Sequence, residues 1–315
     1  MPALVETLFS ANRMVPWHGL GTIVEEAPTS REAIELAGLN WKVVSNPIFD
    51  QNGTEIRGFR ANTRDTDNSI LGIVSNKYQI VQNEEAFEFT DSLIEDEEIR
   101  YETAGSLRNG KQVWILAKMP ETKILDDKVD PYICFSNTHD GTGAIKVCMT
   151  PVRVVCANTL NLALSKASRS WSTKHMGDLA GKLHEARATL MLANQYMDQL
   201  KESADIYANT KISDEEIQRV LDEIFPVDFT KDSARKINNV EQLKETFYVC
   251  YHMPDIAQFR NTQWGVINAM ADMAGHTAPA RRTDTYQENN WGRIMVGHPF
   301  VDAVVKKMNA MKVAV

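Results

Sequence analysis

The sequence has little that would anchor it in a membrane, staple it or load it with a metal. No apolar run approaches the ~18 to 20 residues that a membrane-spanning helix requires. The opening stretch MPALVETLFSANRM has neither a basic leader nor a long apolar core of the export type. These absences predict a cytoplasmic protein with no membrane partner. Cysteine is scarce. Cys134, Cys148, Cys156 and Cys250 form no C-x-x-C pair and no finger or ribbon spacing, so neither a structural zinc nor disulfides are expected, and the thiols should pack as small hydrophobes. Gly19-Leu20-Gly21 lacks the third glycine and the strand-then-helix setting of a dinucleotide loop, and no Walker loop is present. No cofactor is expected. A linker rich in proline, glycine or serine is also missing, which predicts one unit over 1–315.

What is present is a globular composition, 43% hydrophobic and 24% charged over 315 residues, enough to bury a large core. The net charge of −8 is unevenly placed. Residues 83–100 carry Glu84, Glu85, Glu88, Asp91, Glu95, Asp96, Glu97 and Glu98 against Arg100 alone, whereas 151–187 carry Arg153, Lys166, Arg169, Lys174, Lys182 and Arg187 against Asp178 and Glu185. The end of the chain is basic through Arg281, Arg282, Arg293, Lys306, Lys307 and Lys312. Phosphate responds to the local field rather than to the total, so one face can be positive on an acidic protein.

The first half, 1–150, reads mostly as strand. Thr29–Ala37 is a short capped helix stopped by Gly38. Trp41–Ile48 and Glu55–Asn62 flank Asn52-Gly53, and Arg100–Leu107 and Lys111–Lys118 flank Asn109-Gly110, both dipeptides that accept the positive φ of tight hairpins. Ser69–Ser75 and Tyr78–Val81 extend the strand run, Glu84–Glu95 is an acidic amphipathic helix, and Tyr132–Phe135 pairs with Ile145–Cys148 across His139-Asp140-Gly141. Short turns of this kind leave no room for crossover helices, so the sheet is expected to be antiparallel. From Val152 the chain reads as mostly helical over 151–315. Leu179, Leu183, Ala186, Leu190, Ala193, Met197, Leu200 and Ala204 recur at steps of four and three, the seam of a long helix lying on a sheet or on a partner helix of a homo-oligomer. Ser213 and Glu216 form a capping box for a helix ending before Pro226. Helices follow at Val240–Tyr251, Phe259–Ala274 and Phe300–Lys312. The fold class is α+β, a hairpin-rich antiparallel sheet packed on a long helix and a helical C-terminal half.

Several stretches in one order resemble the phage/plasmid-like family filed as domain of unknown function 932. They are Pro16-Trp17-His18-Gly19-Leu20-Gly21, Asn76-Lys77-Tyr78-Gln79-Ile80-Val81-Gln82-Asn83, Arg153-Val154-Val155-Cys156-Ala157-Asn158-Thr159-Leu160, and Thr262-Gln263-Trp264-Gly265-Val266-Ile267-Asn268-Ala269 followed by His276. The resemblance implies a mobile-element setting in a bacterial host cell and supplies no catalytic residues. Met270-Ala271-Asp272-Met273 departs from the threonine and glutamate expected after the Asn-Ala pair.

Three functions fit these residues. The first is binding or annealing of single-stranded DNA in replication, recombination or element maintenance. Arg153, Asn158, Lys166, Arg169 and Lys174 would hold phosphates while Trp171 stacks on a base, and Arg281, Arg282 and Arg293 repeat the mixture beside Tyr286 and Trp291. The plainer reading makes Trp171 a core residue and the cations solvated. The second is an enzyme whose polar pocket gathers Arg153, Asn158 and His139 with Asn137, Arg260 and Asn268. There His139 would be the base, Asp140 its orienting partner or a metal ligand with His276, and Cys156 a nucleophile. Against this, His139-Asp140-Gly141 is an ordinary turn sequence. The third is a non-enzymatic inhibitor or interaction protein acting on a host factor through the acidic 83–100 run.

Overall fold

The structure is a computed structural model that describes residues 8–10, 22–23, 30–85, 100–153, 170–177, 179–276 and 297–313. Two sheets dominate the first half. The larger joins β1 (Leu8–Ser10), β2 (Thr22–Ile23), β6 (Arg100–Leu107), β7 (Gln112–Lys118), β8 (Thr122–Ile124), β9 (Asp127–Thr138), β10 (Ile145–Arg153) and β11 (Ser170–Thr173). Its order is β11-β10-β9-β7-β6-β1-β2, with β8 paired to β9. All its pairs are antiparallel except β1 with β2. The smaller is β3 (Val43–Phe49), β4 (Glu55–Arg64) and β5 (Ile70–Ser75), also antiparallel. Both hairpin dipeptides do what their chemistry allows: Gly53 turns at φ 78°, and Arg108, Asn109 and Gly110 all lie at positive φ.

The period-two alternation of the strands sorts the large sheet into two buried faces. Register aligns Ala104, Ile115, Phe135, Val147 and Trp171 across five strands on one face, and all five belong to or pack against the main apolar cluster. Thr103, Leu116, Cys134 and Cys148 align on the other face and are buried as well. Two of the cysteines thus serve as small core residues, Cys134 with its Sγ 3.8 Å from the Thr150 hydroxyl.

The second half is helical: α2 (Leu179–Asn209), α3 (Asp214–Ile224), α4 (Ala234–Tyr251), a 3-10 turn (Pro254–Phe259), α5 (Gln263–His276) and α6 (Pro299–Val313), with α1 (Ser30–Leu36) in the first half. This is the α+β class expected from the sequence. The long helix lies on β10 and β11, and Tyr196, Met197, Leu200, Ala204 and Tyr207 enter the same core as the sheet. The side chains of 182–194, on which a homo-oligomer seam would also depend, lie outside the described residues. The capping box at α3 is formed: Ser213 N–H donates to Glu216 Oε2 at 2.9 Å, and Glu216 N–H donates to Ser213 Oγ at 3.3 Å.

Three expectations are altered. β9 and β10 run well beyond Tyr132–Phe135 and Ile145–Cys148, and Ser170–Thr173 adds a strand inside the half read as helical. Tyr78–Val81 is not a strand. Its polar groups are taken by separate long-range partners rather than by a ladder: Gln79 N–H donates to His175 O at 2.8 Å and Asn137 Nδ2 donates to Val81 O at 3.1 Å. Beyond Glu85 the acidic helix lies outside the described residues.

Candidate functional site: the joint between the two sheets

The two sheets meet at the 138–144 turn between β9 and β10. Asp140 makes this turn for the reason aspartate usually does: its Oδ1 accepts from Thr142 N–H at 3.0 Å and from the Thr142 hydroxyl at 2.7 Å, and Gly141 follows at φ 75°. Its Oδ2 faces Arg108 Nη1 at 3.3 Å. From the other side β5 presses in at a residue without a side chain. A Cβ on Gly72 would stand 2.4 Å from Asp140 Cα, so only glycine lets the strand approach this closely.

Polar side chains from the small sheet and the following segment then tie the turn down. Asn62 Nδ2 donates to His139 O at 2.8 Å, and the Tyr78 hydroxyl donates to Thr138 O. Asn83 fixes the imidazole. It gives its Nδ2 protons to Leu39 O (3.0 Å) and Trp41 O (3.3 Å), which leaves Oδ1 facing His139 Nε2 at 3.1 Å. Nε2 therefore carries the proton, and Nδ1 is a buried lone pair without a hydrogen-bond partner among the described residues. Burial first, with help from His175 and Arg64 and against the pull of Asp140, drives His139 down to about 3. An imidazole that weak and fully buried is no general base at neutral pH. His139-Asp140-Gly141 forms a turn in which Asp140 bonds to Thr142 and faces Arg108.

Tyr78 also stacks on His175, ring centroids 4.4 Å apart and 15° from parallel. His175 Nδ1 donates to Gln79 O at 2.9 Å, and burial is the first cause of its lowered pKa. Beside this pair opens a cavity of about 550 Å³. Its walls are Ile73, Val74 and Ser75 of β5, Tyr78, the turn from Asp140 to Ala144, and Lys174, His175 and Met176 after β11. Lys174 is exposed at its edge, and no ion pair within the described residues holds its ammonium.

From the foot of the cavity the small sheet runs out as a ribbon. Every residue from Val44 to Phe59 is exposed except the half-exposed Ile48. Register puts Val44, Thr63, Ala61, Ile73 and Phe59 on the face opposite Asn62 and Gly72, hence away from the turn. Phe59 is 51% and Ile73 59% exposed there, with Phe49 and Ile56 also exposed, a concentration that surface residues do not usually reach.

The site residues expected from sequence separate as follows. Lys174 and Asp140, distant in the chain, line one cavity. Trp171 is aligned with Val147 and, partly buried, packs against the core. Arg153 ends β10 opposite Val129, its side chain outside the described residues, as is that of His276. Asn158, Lys166, Arg169, Cys156, Arg281, Arg282 and Arg293 lie outside the described residues altogether. Arg260 and Asn268 do not join His139, for their bonds stay in the helical half, to His252 O at 2.6 Å and Trp264 O at 2.8 Å. Among the described residues no group of three His, Cys, Asp or Glu side chains is placed to hold a metal. Sequence reasoning missed His175, Asn62 and Gly72. The Asn76–Asn83 motif was the available signal, since Tyr78, Gln79, Val81 and Asn83 of that motif all bond to the joint.

Compared with protein families, residues 70–293 match the model described as Domain of unknown function (DUF932), a span that includes β5, the 138–144 turn and the cavity. Neither the curated proteins nor the solved structures contain a match.

Proposed function

We propose that this chain, which belongs to the DUF932 family of unknown function, binds single-stranded nucleic acid along the outer face of the small sheet and over the cavity at its foot. What carries the reading is one observation: the exposed Phe59 and Ile73 face leads directly to a cavity with Lys174 at its edge, its ammonium without an ion pair among the described residues. Strands without a complement are held by apolar and aromatic side chains under the bases and cations beside the phosphates, a combination that tolerates any sequence. Arg57 and Lys77 are exposed nearby. The setting would be replication, recombination or maintenance of a phage or plasmid in the cytoplasm of its host.

Fluorescence anisotropy of the purified protein with labelled single-stranded and duplex DNA, over a salt series with and without divalent metal, tests this. A single strand should bind more tightly than duplex, with log affinity falling by about 0.7 per phosphate contact against log salt. Phe59→Ala should weaken single-strand binding by about tenfold, the low end for loss of one stacking platform. Absence of binding at low salt would sink the proposal.

A further inference from the structure

We infer that the cavity between β5, the Asp140–Ala144 turn and Lys174 accepts one nucleotide, base inward and phosphate outward. The inference rests on the nucleic-acid reading and adds to it that one unit leaves the strand. The volume, about 550 Å³, lies within the ~300 to 1,000 Å³ typical of small-ligand sites. Orientation follows from desolvation. The inner wall offers Val74 and the Tyr78 ring, backed by its stacked His175, with Ile73 only at the rim, which suits a flat base of low charge. A phosphate buried there would lose its water with no cluster of cations to replace it. At the edge, Lys174 keeps its ammonium in solvent, where a phosphate can stay hydrated and still be paired.

The test uses the full chain with three probes: deoxynucleoside 5′-monophosphates, inorganic phosphate, and a labelled single strand. Protein-observed NMR or calorimetry should detect mononucleotide binding and no phosphate binding at the same concentration. Ala144→Trp, which fills the space, should abolish mononucleotide binding. Lys174→Glu, an exposed change that leaves the fold intact, should weaken it about tenfold, the equivalent of one charge-assisted contact. Strand binding without mononucleotide binding, unchanged in both variants, would overturn the inference and leave the sheet-face reading standing. Mononucleotide binding without strand binding would keep the cavity as a site for free nucleotides and remove the strand. Binding of neither would end both.

Discussion

The joint and the ribbon both draw on the small sheet, yet their residues do opposite things. At the joint, Asn62, Gly72, Tyr78 and Asn83 spend their chemistry on one turn of the other sheet. Along the ribbon, apolar side chains are about half exposed. A three-stranded sheet needs an apolar face packed on something else to be stable, so the joint helps hold the ribbon in place. Stability and display are thereby assigned to different ends of one element.

The contrast is broken most severely by acid. His139 is held down to about 3 from its ordinary 6.5, and His175 is lowered too. The unfolded chain binds protons that the folded one refuses, so stability is complete above about pH 6.5 and falls as the pH drops toward 3. At pH 4 the His139 contribution alone amounts to about 3 kcal/mol. Denaturant unfolding at pH 7 and pH 4 should show this fall, and His139→Gln should flatten it. An equal slope in the variant would mean that the joint is not dry.

Gly72→Val, which sets a branched side chain against Asp140 backbone, should cost on the order of 3 kcal/mol by the same unfolding assay. A cost below about 1 kcal/mol would show the approach to be loose. Asn83→Ala strands the His139 Nε2–H and two carbonyls, for a loss of about 2 kcal/mol. Ser213→Ala, remote from both regions, removes one cap and should cost about 1 kcal/mol. Phe49→Ser on the ribbon completes the series. Thermal melts should move by less than the equivalent of about 0.5 kcal/mol, while strand binding falls. If Phe49→Ser were as damaging as Asn83→Ala, the ribbon would be part of the core and the contrast false.

Local chemistry made much of this legible. The turns at Asn52-Gly53 and Asn109-Gly110 and the cap at Ser213 depend on residues within four positions of one another, and each formed as its sequence predicts. The joint depends on pairs such as Asn83 with His139, 56 residues apart, for which no spacing rule exists. Hence His139 and Asp140 could be singled out as polar residues without their purpose being visible. Trp171 shows the same limit from the other side. Its basic neighbours invite a stacking role, but the alternation of β11 against Val147 turns it toward the core. The meeting of Lys174 with Asp140 needed β11 to return beside β10, a strand hidden in a stretch of serines.

Pro47 gives the ribbon one more property. It sits on β3, one of the two edge strands of the small sheet, and the pairing register slips between Pro47 and Phe49. An exposed apolar strand is otherwise a template on which copies of a protein can stack into fibres, each new strand docking on the last one's open amides. Proline has no amide to offer, and the slip bends the edge out of line. Crowded copies of the molecule can therefore carry their greasy arms side by side without zipping into one continuous sheet.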